Sequence, residues 1–286
     1  MTAITGGARR LDDASPVAAP VQGRASLVFG RRGPRTVLVH STVAAPLALV
    51  RPFELPGGRL VVQLVTLGPG LCSGDVIELD VIVQDDAEVV LMTTAATRIM
   101  SMEQGQRAEQ RIRFRADRGS SLEYYPAPAI PFPGSAFVQT LAIEAHPTAR
   151  VGVVESWALG RSARDEYLQF RSLTSQTRLS IAGTLVYADA LALEPSRHDL
   201  AGAGVLDGRH YLAAGFFHGV GAIPDGASTP SNDRVDVAFA LTRPGLAYLR
   251  ALADDAPSLD AAIQDSLERV ARAWGHPLTR LDRFRC

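Results

Sequence analysis

The sequence predicts a mainly β protein whose β body is closed by α-helices at its C-terminal end. Three observations point there. Short runs rich in β-branched and aromatic residues recur at a roughly ten-residue rhythm, separated by Gly, Pro, Asp and Ser. One run, Val76–Gln84, alternates with period two. Sustained helical spacing is confined to Ser258–Trp274.

Residues 1–24 are rich in Ala, Gly, Pro and Thr without periodicity, and read as a mobile tail before a single domain over 25–286. Ala25–Phe29 and Thr36–Ser41 flank Gly30-Arg31-Arg32-Gly33-Pro34 and predict a hairpin. Leu60–Thr66 is a further apolar run. In Val76–Gln84, Ile77, Leu79, Val81 and Val83 share one face. Glu88–Thr93, Gln110–Phe114, Ser121–Tyr125, Phe137–Ile143 and Arg150–Leu159 continue the strands. Tyr167–Thr174, Arg178–Leu193, Tyr211–Phe217 and Val235–Leu241 complete them. Pro244 suits a first helical position, with Leu246, Tyr248 and Leu249 following in a short helix. In Ser258–Trp274, Ser258 serves as N-cap, and Leu259, Ile263, Leu267, Val270 and Trp274 form the stripe. Gly275 and Pro277 end it.

With 47% hydrophobic and 21% charged residues, the chain can fill a core. Its formal net charge of -1 provides no general pull toward nucleic acid or anionic lipid. Cys72 and Cys286 do not make a disulfide framework. The N-terminal residues lack a signal-peptide apolar segment, and no run is long enough to span a bilayer. The cytoplasm is therefore the expected compartment.

The densest cluster of special residues is Gly68-Pro69-Gly70-Leu71-Cys72-Ser73-Gly74-Asp75. It lacks the Lys of a P-loop, and a strand follows where a helix is needed. Gly70-Leu71-Cys72-Ser73-Gly74 has nucleophile-elbow spacing, but a strand follows, so no helix dipole would lower the Cys72 pKa. The plainer reading is a tight loop with glycines at φ > 0. Asp75 is either a turn residue bonding nearby backbone, the commoner use, or a carboxylate facing a cavity. The six histidines show no H-x-H, H-x-x-x-H or H-E-x-x-H spacing, so a closed metal cage is not expected. Scattered oxygen ligands leave no such signature. Glu155 and Asp189 sit in apolar strand runs, where a charge faces solvent, finds a partner or lines a polar cavity. A carboxylate-pair glycoside hydrolase would use two such groups, yet Trp157 and Trp274 sit in apolar settings unlike sugar-stacking platforms.

Several segments, in order, resemble the urease accessory protein family UreD, called UreH in some bacteria. The Gly-Asp loop is similar to that family's Pro-Gly-Gly-x-x-Gly-Gly-Asp signature. Further matches are Val50-Arg51-Pro52-Phe53, Leu91–Arg98, Leu122–Pro126, Ile130-Pro131-Phe132, Leu159–Glu166 and a C-terminal helix ending at Arg272-Ala273-Trp274. The resemblance covers roughly Ala25 to Pro277. Pro69 and Ser73 replace signature glycines, Arg98 replaces a Lys, and Met100-Ser101-Met102 replaces a Tyr-Arg-Ser.

The resemblance implies a long, helically coiled, β-helix-like structure with few helices. It implies a non-enzymatic scaffold that binds apo-urease and UreF, and through UreF the GTPase UreG. No cofactor is held stably; nickel(II) passes transiently. By the same resemblance Asp75, Thr97, Glu155 and Asp189 line the passage. A glycoside hydrolase using a carboxylate pair, and a ligand-binding β module, are the competing readings.

Overall fold

The computed structural model describes residues 19–221 and 232–276. The expected tail over 1–24 lies largely outside these residues, and its last positions already belong to the first strand. That strand, β1 (Gln22–Arg32), turns tightly at Gly33-Pro34 into β2 (Arg35–Ala44), giving the expected hairpin. The chain then crosses to a second sheet for β3 (Leu47–Leu49), β4 (Phe53–Leu55) and β5 (Arg59–Thr66).

From β5 onward the chain winds between the two sheets. β6 (Val76–Val83) lies in the first sheet and β7 (Glu88–Thr93) in the second. After a short rim strand, β8 (Thr97–Ile99), β9 (Ala108–Ala116) returns to the first and β10 (Ser121–Tyr125) to the second. A second rim strand, β11 (Ala129–Pro131), precedes β12 (Ala136–Ala145) in the first sheet, β13 (Arg150–Ala158) in the second and β14 (Ser172–Ile181) in the first. Strands β1, β6, β9, β12 and β14 run parallel, as do β5, β7, β10 and β13. This is a two-sheet β-solenoid. Its end is finished by antiparallel strands: β15 (Thr184–Leu193) on β14, then β16 (Tyr211–Val220), with β17 (Val235–Arg243) pairing β18 (Gly245–Ala253), which pairs β16. The helix α1 (Ala256–Trp274) covers the outer face of the second sheet.

Alternation decides which side chains fill the space between the sheets. Ile77, Leu79, Val81 and Val83 are all at most 3% exposed and pack against Val62, Leu91, Leu122 and Val153 from the opposite sheet. The outer face of the first sheet instead carries charges that pair across neighbouring strands, such as Arg113 with Asp80 at 2.6 Å. A second apolar cluster fills the space between the second sheet and α1, where the helical stripe Leu259, Ile263, Leu267, Val270 and Trp274 is buried as expected.

Three expectations need correction. Pro244–Leu249 does not form a short helix; Gly245–Ala253 is strand β18. Its residues alternate, with Ala247, Leu249, Ala251 and Ala253 under α1 and Leu246 in the inter-sheet core. Pairing on both sides with β16 and β17 overrides the weak local preference for helix. Hence one α-helix, not a few, closes the described chain, accompanied only by a 3₁₀ turn at Ser162–Arg164. The N-cap of α1 is Asp255, whose carboxylate accepts from Ser258 N at 2.8 Å, with a proline in the first turn; Ser258 lies inside the helix. Finally, Arg178–Leu193 is two strands, because Ala182 and Gly183 form a positive-φ turn between them.

Gly275 ends α1 in the left-handed conformation, and Arg150 donates from Nη1 to the Trp274 carbonyl at 3.0 Å. The helix is thus fastened to β13. Leu267→Ala should cost about 2–5 kcal/mol of folding stability, read as a lower urea midpoint with little change in slope.

Candidate functional site

Parallel strands in direct register stack like residues into columns. In the first sheet Ile77, Gln110, Gln139 and Ser175 are lateral partners across β6, β9, β12 and β14. The adjacent inward column runs Leu79, Ile112, Leu141 and Thr177, and the antiparallel partner of Thr177 is Asp189 on β15. Both columns begin apolar and become polar toward the C-terminal end. On the facing sheet, Val151 and Val153 of β13 point into the core, so Glu155 two residues on points there too.

Glu155 is 5% exposed. One carboxylate oxygen accepts from the Gln139 side-chain amide and the other from Thr177 Oγ1 at 3.0 Å. The Gln139 amide also reaches Ser175 Oγ at 3.3 Å. Asp189 lies near enough to raise the Glu155 pKa and is itself paired with Arg250 of β18. Burial is the larger influence on Glu155 and, against the two stabilising hydrogen bonds, pushes its carboxyl up to about 7. Tyr124 is raised mainly by burial and further by this carboxylate, and Tyr187 mainly by burial, then by Asp189 and to a smaller extent Glu155.

Ahead of Glu155 the file continues. Two small cavities of about 20 Å³ each lie end to end between the sheets and share Thr93, Thr97, Gln110 and Tyr124. One extends toward Leu47, Leu64 and Leu71, the other toward Gln139, Glu155 and Trp157. Each has room for about one water. Thr97 and Glu155 therefore line one file, and Asp189, the lateral partner of Thr177, lies beyond Glu155. Asp75 is not part of it. It is 5% exposed, and its two oxygens accept from Val21 N and Cys72 N at 2.8 Å each. It pins the Gly-rich loop to the start of β1, the use a Gly-Asp turn ordinarily makes of its carboxylate. Gly68, Gly70 and Gly74 all adopt positive φ, and a Cβ on Gly70 would stand 2.4 Å from the Arg98 carbonyl oxygen.

Cys72 is half-buried, and burial, then Asp75, pushes its thiol up, away from nucleophile activation. Trp157 and Trp274 are 2% and 7% exposed within apolar clusters, so neither offers a sugar-stacking face. Among the described residues, no three His, Cys, Asp or Glu side chains converge on a point where they could hold an ion. No described helix is long and apolar enough to cross a membrane.

Gln110, Gln139, Thr177 and Arg250 were missed by sequence reading. The first three had a usable signal: each is a polar residue at an inward position of an otherwise apolar alternation, as in Phe137, Gln139, Leu141, Ile143. Arg250 had none, since β18 was read as helix. The motif segments Thr94-Ala95-Ala96 and Gly160–Arg164 meet at a surface hollow of about 620 Å³ beside Ala127, with Ala256 and Asp260 of α1 on its wall. There Arg161 grips Glu166 with two nitrogens and lies 4.0 Å over the Phe132 ring.

Fold and site together define a two-sheet β-solenoid with an oxygen-lined interior file. The family model described as UreD urease accessory protein matches residues 21–285. The chain is 34% identical to a urease accessory protein UreD of Deinococcus radiodurans over 249 residues, covering 87% of this chain and 89% of that protein. It is 34% identical over 280 residues to urease accessory protein UreD 2 of Streptomyces griseus, covering 91% and 92%. It is 38% identical over 193 residues to urease accessory protein UreD 1 of a Synechococcus strain, covering 67% and 72%. The chain belongs to the UreD family of urease accessory proteins.

Two stability predictions follow from the geometry. The folded chain binds the Glu155 proton more tightly than the unfolded chain, whose carboxyl titrates near the ordinary 4.5. Stability relative to Glu155→Gln should therefore fall as pH rises from about 4.5 to about 7 and level off above. The total change is of order 3 kcal/mol, read by denaturant titration at a series of pH values. Asp75→Ala removes the acceptor of two backbone N–H groups and should cost about 1–3 kcal/mol. Proteolysis at the N-terminal edge of β1 should speed up correspondingly.

Proposed function

We propose that this chain is a non-enzymatic scaffold for urease maturation, acting in the cytoplasm. In this reading it binds apo-urease and UreF, recruits the GTPase UreG through UreF, and conducts nickel to the urease active site. The observation that carries the reading is the interior file itself. Hydroxyl, amide and carboxylate oxygens from Thr97, Gln110, Gln139, Glu155, Thr177 and Asp189 follow one another between the sheets of a protein whose family serves urease.

Oxygen ligands suit a conduit. Nickel forms its stable protein sites with imidazole and thiolate, and a site of that kind along the way would retain the ion. Single carboxylates separated by neutral oxygens bind weakly at each step and release. Glu155, being buried, would give up its proton as a cation arrives, which spares the interior an unpaired charge between passages. Asp75 supports the file from outside by holding the loop beside Thr97's strand.

Glu155→Gln keeps the shape and removes the charge; its oxygen can still accept from Gln139, and its amide can donate to Thr177 Oγ1 where the carboxylate accepted. Co-expressed with urease, UreF and UreG, that variant should still be recovered in complex with UreF, while urease activation falls about tenfold or more. Normal activation would refute the passage. Failure to recover UreF with the wild-type chain would refute the scaffold.

A further inference from the structure

The file ends at a side chain that no cation passage obviously calls for. Arg250 lies on the inner side of the second sheet in the same lateral row as Glu155, with Ala214 of β16 between them. The residue between the carboxylate and the guanidinium in that row is thus a small, buried alanine. Arg250 donates through Nη2 to Asp189, so it stands at the last carboxylate of the file. It also lines an open groove of about 420 Å³ at the end of the solenoid, together with Leu191, Leu193, Leu252 and Asp236. Its side chain is 39% exposed whereas Asp189 is 19% exposed. The guanidinium therefore sits where the protected interior meets solvent.

Resting on the passage proposed above, we infer that Arg250 is its stopper: the guanidinium occupies the cation position on Asp189 and must swing into the groove before a metal ion can pass. Arginine suits this task because it cannot lose its proton and holds a carboxylate through directed N–H donors. It keeps Asp189 paired in the resting state, where a bare half-buried carboxylate would either be uncompensated or capture any passing divalent cation. The groove supplies the space for the displaced side chain. Asp236, on the groove wall and now held by Arg209 at 3.0 Å, supplies a second acceptor there. A partner that fills the groove could thus open or lock the file by acting on one residue.

The test is nickel binding to the purified full chain by calorimetry at neutral pH, compared among variants with unchanged melting temperatures. Arg250→Gln should bind nickel(II) about tenfold more tightly than the wild type or better, equivalent to about 1.4 kcal/mol. Arg250→Gln combined with Asp189→Asn should return to the wild-type affinity. Arg250→Met, of similar length and without charge, is the second variant should Arg250→Gln fold poorly, and is expected to show the same gain. Equal affinity in the folded Arg250 variant and the wild type overturns the stopper, as does a gain that survives Asp189→Asn. The two proposals fail separately: reduced urease activation in Glu155→Gln without any gain in Arg250→Gln leaves the passage standing and removes the stopper alone.

Discussion

Direct register between successive parallel coils is the constraint on which the rest of this structure depends. In the first sheet β6, β9, β12 and β14 pair without slippage, so a position that points inward on one strand points inward on every other. A polar residue placed inward therefore cannot be hidden by its own coil. It must be answered by its neighbours above and below, or by the sheet opposite. Over most of the solenoid the answer is to avoid the problem with Val, Leu and Ile. Toward the C-terminal end the columns change to Gln, Ser, Thr and Asp, and the opposite sheet meets them with Glu155.

That change of composition is costly unless the buried groups are satisfied, and around Glu155 and Asp189 the contacts supply partners. Gln139 and Thr177 hold Glu155, Ser175 supports Gln139, and Arg250 holds Asp189. The charged outer face of the same sheet, by contrast, pairs its residues in water, where each pair contributes little. The two faces of one sheet thus carry polar groups for different physical reasons. Outside, solvent hydrates them; inside, neighbouring side chains must take the place of that solvent.

The solenoid is also unusual in where it is open. Its lateral edges are finished by antiparallel strands, and the outer face of the second sheet is sealed by α1, whose C-terminal carbonyl is capped by Arg150. Two hollows open at its surface: the groove at the end near β15 and β18, lined by Arg250, and the one beside Thr94–Ala96.

Much of this was legible in the sequence. Period two in Val76–Val83 named its four buried residues, and Ser121–Tyr125 was bounded to the residue. The α1 stripe followed from 3.6-residue spacing, and the chain's ordered series of short motifs identified the family. These features are local, so periodicity and turn chemistry suffice to read them. What the sequence could not supply was pairing. Gly245–Ala253 became a strand because β16 and β17 flank it, and Asp75 turned to backbone donors because β1 begins beside it. The meeting of Glu155, Thr177, Asp189 and Arg250 joins residues on four strands of two sheets. Sequence alone settled the alternation of a clear run such as Val76–Gln84; only the stacking of coils decided which side chains share one interior, because register is a property of strands brought together and not of any strand by itself.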